Sequence, residues 1–243
     1  MNKIIFLILS IFFFTSCKTI SIQNESHTKI DQNIQLGTVG EQKDFILEQD
    51  YNQTAIPKYK KVVKVQIDVI DFNKQSFKSF LKAKKSQSKT ITVNYLDSLD
   101  QKPQYLKLEI ADRVTILNAL NHKENKDVFQ FLENKKEAHL VTSIALALNK
   151  SDIEAIYKAD EVFLEMVSKK SYGLITYINK EARQTILFNQ GVVFAYQTSS
   201  CCWKQNDKYQ LEIVDLVEGS DMCPNKTYKS SKRAIKEIDY YDF

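Results

Sequence analysis

Val192-Val193-Phe194-Ala195-Tyr196-Gln197-Thr198 reads as a β-strand, and the company it keeps sets the fold class. Continued to Trp203, alternation places Phe194, Tyr196, Thr198, Ser200 and Cys202 on one face. Val193, Ala195, Gln197, Ser199, Cys201 and Trp203 take the other. Further strands are expected at Glu161 to Val167, Tyr172 to Ile178 and Thr185 to Phe188 before it, and at Tyr209 to Leu216 after it.

Working outward, Val63, Val65, Ile67 and Val69 alternate with polar partners as another strand. Phe77, Phe80 and Leu81 sit at helical spacing in Gln75 to Lys84. Ile91, Val93 and Tyr95 suggest a strand, and a turn through Asp97 to Pro103 leads to one more, carrying Tyr105, Leu106, Leu108 and Ile110. Asp112 is placed to cap a helix with Val114, Leu117 and Leu120. Asn125 is placed to cap another, with Val128, Phe129, Phe131 and Leu132 inward. Leu140 to Leu148 is a strand, Asp152 to Lys158 a short helix, and Ser231 to Ile238 a basic helix before the tail Tyr240-Tyr241-Asp242-Phe243. The pattern implies an α+β domain, a largely antiparallel sheet with several short helices. One echo stands out: Phe72 to Ala83 aligns with Leu148 to Ala159, sharing Asn, two Lys and Ala, and matching at the large apolar positions. It suggests a duplicated strand-helix-hairpin unit.

At the N-terminus, Lys3 precedes the apolar run Ile4 to Phe14, which is too short to span a bilayer and ends on Thr15-Ser16-Cys17. Small-small-Cys at this position resembles the lipobox of bacterial lipoproteins, with Phe14 where that family usually has Leu. The resemblance implies a signal peptide over residues 1–16 and lipidation at Cys17, with fatty acyl chains on the sulfur and on the new amino terminus. Two or more chains, at about 0.8 kcal/mol per buried methylene, hold a protein stably on a membrane. Lys18 in place of Asp, and no acidic residue in Lys18-Thr19-Ile20-Ser21, point to an outer-membrane lipoprotein facing the periplasm of the cell envelope. From Lys18 to about Ile56 no period persists among Gln, Asn, Lys, Thr and Ser, so residues 17–56 read as a flexible tether with a span on the order of 35 Å. One α+β domain then covers residues 57–243.

Loss of the signal peptide removes one lysine, Lys3, from a formal charge of +4, leaving +3. That balance and the compartment argue against nucleic acid as a partner. Lysines cluster at Lys58, Lys60, Lys61 and Lys64, and again between Lys78 and Lys89. Such runs are usually a solvated face; the other meaning is attraction to anionic lipid or sugar. With Cys17 acylated, Cys201, Cys202 and Cys223 remain in an oxidising compartment. A vicinal bridge is strained, so Cys223 pairs with Cys202 or Cys201. Cys202 is preferred because Cys201 shares its face with Trp203. The closed loop of about twenty residues is worth roughly 3 kcal/mol.

No catalytic or metal-ligating set is nominated, and no cofactor is implied. His27, His122 and His139 lack ligand spacing, and none of the five glycines forms a phosphate loop. The aromatic residues Tyr196, Trp203 and Tyr209, with the C-terminal tail, form a candidate binding patch, against the alternative that alternation buries them. The expectation is a membrane-anchored envelope lipoprotein acting as a non-catalytic binding or accessory module, partnered by a periplasmic protein or an envelope polymer. The alternatives are a lipid-anchored hydrolase, with a histidine, an acid and a nucleophile in one cleft, and an immunity or inhibitor protein presenting the loop Val217 to Thr227.

Overall fold

The computed structural model describes residues 18–44, 49–168 and 171–236. Cys17, the proposed lipidation site, and the aromatic tail lie outside these residues. Twelve strands form one antiparallel sheet. They are β1 (Thr19–Ile22), β2 (Glu25–Lys29), β3 (Val39–Asp44), β4 (Gln49–Ala55), β5 (Val63–Asp71), β6 (Gln104–Ile110), β7 (Ala138–Ala147), β8 (Glu161–Ser168), β9 (Ser171–Ile178), β10 (Glu181–Leu187), β11 (Val192–Gln205) and β12 (Leu211–Glu218). Among the described residues five α-helices accompany them: α1 (Lys74–Ser86), α2 (Arg113–Leu120), α3 (Lys126–Asn134), α4 (Lys150–Tyr157) and α5 (Ser231–Lys236). The α+β, antiparallel reading is therefore the observed fold.

Across the sheet the order is β1-β2-β11-β7-β6-β5-β8-β9-β10. β12 lies beside β11, and β3 joins β7 to β4. β7 and β11 are buried on both faces. Ile144 and Leu146 enter a large core with Leu106, Leu108, Leu140, Val193 and Trp203. Ala145 and Ala147 enter a second, aromatic core with Phe72, Phe80, Tyr105 and Phe194, which α1 closes through Phe80 and Ala83. The Phe194 ring stands 5.0 Å from Tyr105 and 5.8 Å from Phe72. Burying each such ring is worth about 1.5 to 3 kcal/mol. α1 begins where the Asn73 side chain accepts from the N–H groups of Gln75 and Ser76, both at 2.9 Å, and the Ser76 hydroxyl accepts from the Asn73 N–H.

The expectation of a flexible tether over residues 17–56 is corrected, and with it the domain boundary at 57: the sheet starts at Thr19. β1 and β2 join through Gln23 and Asn24, both at positive φ (50° and 69°), the two-residue turn whose twist suits a hairpin. Ile20 and Ile22 alternate into the aromatic core, while Val39 and Tyr51 of β3 and β4 enter the large one. A few apolar anchors at period two suffice when the strand lies against an existing sheet, even in a Gln/Asn/Thr-rich segment.

Two further expectations change. Ile91, Val93 and Tyr95 form no strand; they lie half-buried against the aromatic core without joining the ladder. Asn125 makes no side-chain cap for α3. It is buried, accepting from the Lys58 N–H at 2.7 Å and donating to the carbonyls of Lys58 and Ala119, so it ties the segment before β5 to the end of α2. The echo between residues 72–83 and 148–159 is one of Asn caps, at Asn73 and Asn149. Its surroundings differ: α1 links the paired neighbours β5 and β6, whereas α4 links β7 to β8, which do not pair.

Candidate binding cleft

Several strand ends fall at one end of the sheet. The pairings Asp71↔Gln104, Val192↔Ala147 and Ala195↔Lys29 align the ends of β5, β7 and β2 with the starts of β6 and β11. Lys18, at the start of β1, accepts there from the Lys29 N–H at 2.9 Å. At the β5–β6 side of this end lies an open cleft of about 870 Å³.

One wall is α4. The Asn149 Oδ1 accepts from the Asp152 N–H at 2.9 Å, and the Asp152 carboxylate accepts from the Gln184 side chain at 3.0 Å, which ties the first turn to β10. Asp152 and Ile156 face inward. Lys150, Ile153, Glu154 and Tyr157, at positions i, i+3, i+4 and i+7, then share the face that lines the cleft. Tyr157 is 78% exposed, the most open aromatic residue among those described. The opposite wall is residues 92–94 and 100–104, held down by the Phe72 N–H donating to the Pro103 carbonyl at 2.8 Å and by Gln104 donating to Asp71 at 3.0 Å. Val69, Leu148 and Ile153 give an apolar floor. Asp71, Asp100 and Glu154 balance Lys102, Lys150 and Lys158 around it.

The nominated aromatic patch is not assembled. Tyr196 is buried against Tyr51, with ring centroids 5.1 Å apart, and Trp203 is buried edge-on to Phe129 at 5.2 Å. Of its described members only Tyr209 is exposed, at the tip of the β11–β12 hairpin with φ of 59°. For Tyr196 the cause is a bulge in β11: Val193 pairs with Leu146 and Ala195 with Ala145, leaving Phe194 over. Phe194 and Ala195 therefore both enter the aromatic core, and Tyr196 turns into the other.

Cys202 and Cys223 are bridged, with Cα atoms 5.6 Å apart, as preferred on the sequence. Cys201, the alternative partner, is a buried thiol in the large core beside Trp203, and burial pushes its pKa up to about 12. A thiol so held is protonated and unreactive.

The three histidines sit apart, each in a structural contact. His27 is sealed between β2 and β7, its Nε2 3.3 Å from the Ser143 hydroxyl and its Nδ1 3.4 Å from the Glu25 carbonyl; burial lowers its pKa to about 4. His122 accepts from the Glu124 N–H at the start of a single 3-10 turn. His139 lies 3.2 Å from the Ser200 hydroxyl, and burial followed by the Lys229 charge lowers its pKa. His27 and Ser143 resemble a base and nucleophile only in spacing, since both side chains are sealed in the sheet. Beside them, buried Lys107 meets Glu25 at 2.7 Å and Glu109 at 3.3 Å. Burial pushes its pKa down, but the two carboxylates outweigh that and leave it above the ordinary value.

Residue alternation could not find the cleft, because three separate segments build it. Its one local sign was Ile153 and Tyr157 at i, i+4 on a helix face distinct from that of the buried Ile156. No family model, curated protein or solved structure matches the chain.

Proposed function

We propose that the chain is a lipid-anchored lipoprotein of the bacterial envelope, held at Cys17 on the periplasmic side of the outer membrane. Its domain acts as a binding module whose ligand occupies the cleft along α4. The observation that carries the binding reading is the pairing of the exposed Tyr157 ring with a wall of amides and balanced charges over an apolar floor. An open aromatic face beside hydrogen-bonding groups, with no excess of either charge, suits a neutral polyhydroxyl polymer of the envelope better than a phosphate or a polycation. The lining includes no histidine and no cysteine, so the groups that favour a hydrolase do not converge there. The bridge between Cys202 and Cys223 supports an oxidising compartment, and the lipobox supports the anchor.

Calorimetric titration with a panel of neutral hexasaccharides tests the ligand class. Binding should saturate for at least one member and weaken about fivefold in Tyr157→Ala, the loss of roughly one stacking contact. Saturable binding unchanged in the variant would move the site elsewhere, and no binding across the panel would remove the ligand class. Metabolic labelling with palmitate tests the anchor: label should enter the wild-type chain and be lost in Cys17→Ala. One observation favours an inhibitor reading as well. Met222 is 89% exposed on the segment that Cys223 staples to β11, which is how a protruding contact loop is presented.

A further inference from the structure

With residue 18 already in contact with β2, only the Cys17–Lys18 peptide link separates the proposed acyl site from the folded sheet. An anchor at Cys17 therefore leaves the domain no slack, and the surface around Lys18 is the surface that meets the bilayer. Consecutive Cα atoms lie about 3.8 Å apart, so the β1 start cannot stand clear of the headgroups.

That surface is basic. Lys29 donates its N–H to the Lys18 carbonyl, and Ile30 donates to the Phe194 carbonyl, fixing the segment that follows β2. The last turn of α1 is pinned to the same place: the Gln87 side chain donates to the carbonyls of Gln32 (3.2 Å) and Val193 (2.6 Å). Ser76, Ser79, Phe80 and Ala83 form the buried face of α1, so Lys78, Lys82 and Lys85, at i, i+4 and i+7, run along its outer face. Lys82 reaches Asp31 at 2.7 Å, and Lys89 reaches the Asn189 carbonyl. Lys18, Lys29, Lys82, Lys85 and Lys89 thus gather around the point where the chain leaves for Cys17. Asp31 is the acidic residue among the neighbouring segments 30–37, 86–92 and 188–191; their other side chains are uncharged apart from Lys89.

We propose that this basic end of the domain, formed by the start of β1, the end of β2 and the outer face of α1, is a docking surface for anionic lipid headgroups. It fixes the orientation of the domain on the membrane to which Cys17 is anchored. The inference rests on the anchor reading above and goes beyond it by assigning which face meets the lipid. Cationic side chains close to an anionic surface are attracted within a Debye length, so the contact responds to salt.

The test is lysine footprinting of the full chain purified from native membranes and reconstituted in vesicles. One set is phosphatidylcholine alone; the other contains about a third phosphatidylglycerol. Intact mass first establishes the acylation state, and acetylation rates at single lysines are then read by mass spectrometry. In the acidic vesicles, Lys29, Lys85 and Lys89 should label about threefold or more slowly than in neutral ones. Lys208, at the β11–β12 turn, should keep its rate, and high salt should erase the difference. An acylated chain whose lysines all label alike in the two vesicle types overturns the docking surface and leaves the anchor standing. A chain without acyl mass overturns the anchor, and the orientation with it. Slowing of Lys85→Glu/Lys89→Glu equal to that of wild type at Lys29 would also overturn the assignment to α1.

Discussion

β11 is gripped along one edge by the β1–β2 hairpin and by its own hairpin partner β12, which hold on in different ways. Near its start, β2 pairs with it through Ala195↔Lys29 and Tyr196↔Thr28 alone. That hairpin depends instead on Ile20 and Ile22 in the aromatic core, on His27 against Ser143, and on Lys107 against Glu25. Toward its end, β12 pairs from Ser199↔Glu218 to Gln205↔Leu211, and a covalent bridge from Cys202 ties down the segment beyond β12. The first grip is made of packing and proton-sensitive contacts, so acid should loosen it and reductant should not. The second should respond the other way round. One strand is thus secured by two mechanisms that no single condition reverses.

The contrast breaks most directly at Ile22, which is 2% exposed. Ile22→Asp places a carboxylate in the aromatic core and should cost on the order of 4 kcal/mol in urea titration. A loss under about 1 kcal/mol would mean that the β1–β2 hairpin is not integral to the fold. Next is the bridge. Cys202→Ala with Cys223→Ala should lose roughly 3 kcal/mol, and reductant should lower the stability of the wild-type chain by the same amount while leaving the double variant unchanged.

Acid probes the other grip. The His27 pKa falls from 6.5 in the unfolded chain to about 4 in the fold. Between these values the unfolded chain binds more protons, so stability declines as pH drops from 6.5 and levels off below 4. The full penalty is no more than about 3.5 kcal/mol. His27→Gln should flatten that slope, whereas an unchanged slope would assign it to carboxylates instead. Asn73→Ala removes the α1 cap over the aromatic core and should cost about 1 kcal/mol. At the far tip of the second grip, Tyr209→Ser should fall within about 0.5 kcal/mol of wild type. A larger effect there would show that the tip is packed in solution.

Strands from β5 onward were legible because Val63-Val65 and Leu106-Leu108-Ile110 repeat at period two among polar neighbours. The cap Asp112 was legible from residue type and does accept from the Thr115 N–H at 2.9 Å, whereas Asn125, nominated on the same ground, caps nothing. Counting cysteines narrowed the bridge to Cys223 with Cys202 or Cys201, and the face that Cys201 shares with Trp203 chose Cys202. β1 to β4 were not legible, since Ile20-Ser21-Ile22 offers too few apolar positions to outweigh its polar surroundings; Gln23-Asn24 as a two-residue turn was the overlooked sign. Ile91, Val93 and Tyr95 misled in the opposite sense, alternating against a core without pairing to a strand. The aromatic patch failed for a third reason: one bulged residue, Phe194, reverses the facing of Tyr196, and nothing local announces a bulge. The cleft is assembled by sequence-distant segments, so no window of residues contains it.

The alignment of strand ends has one further consequence. Asp71, Gln104 and Leu148, which line the cleft, belong to the same end of the sheet as Lys18. A receptor mounted at Cys17 would hold its mouth within a few strand widths of its own support, with no swing to carry it outward. It would sample what lies close against the bilayer, and a polymer spanning the open periplasm would have to descend to be caught.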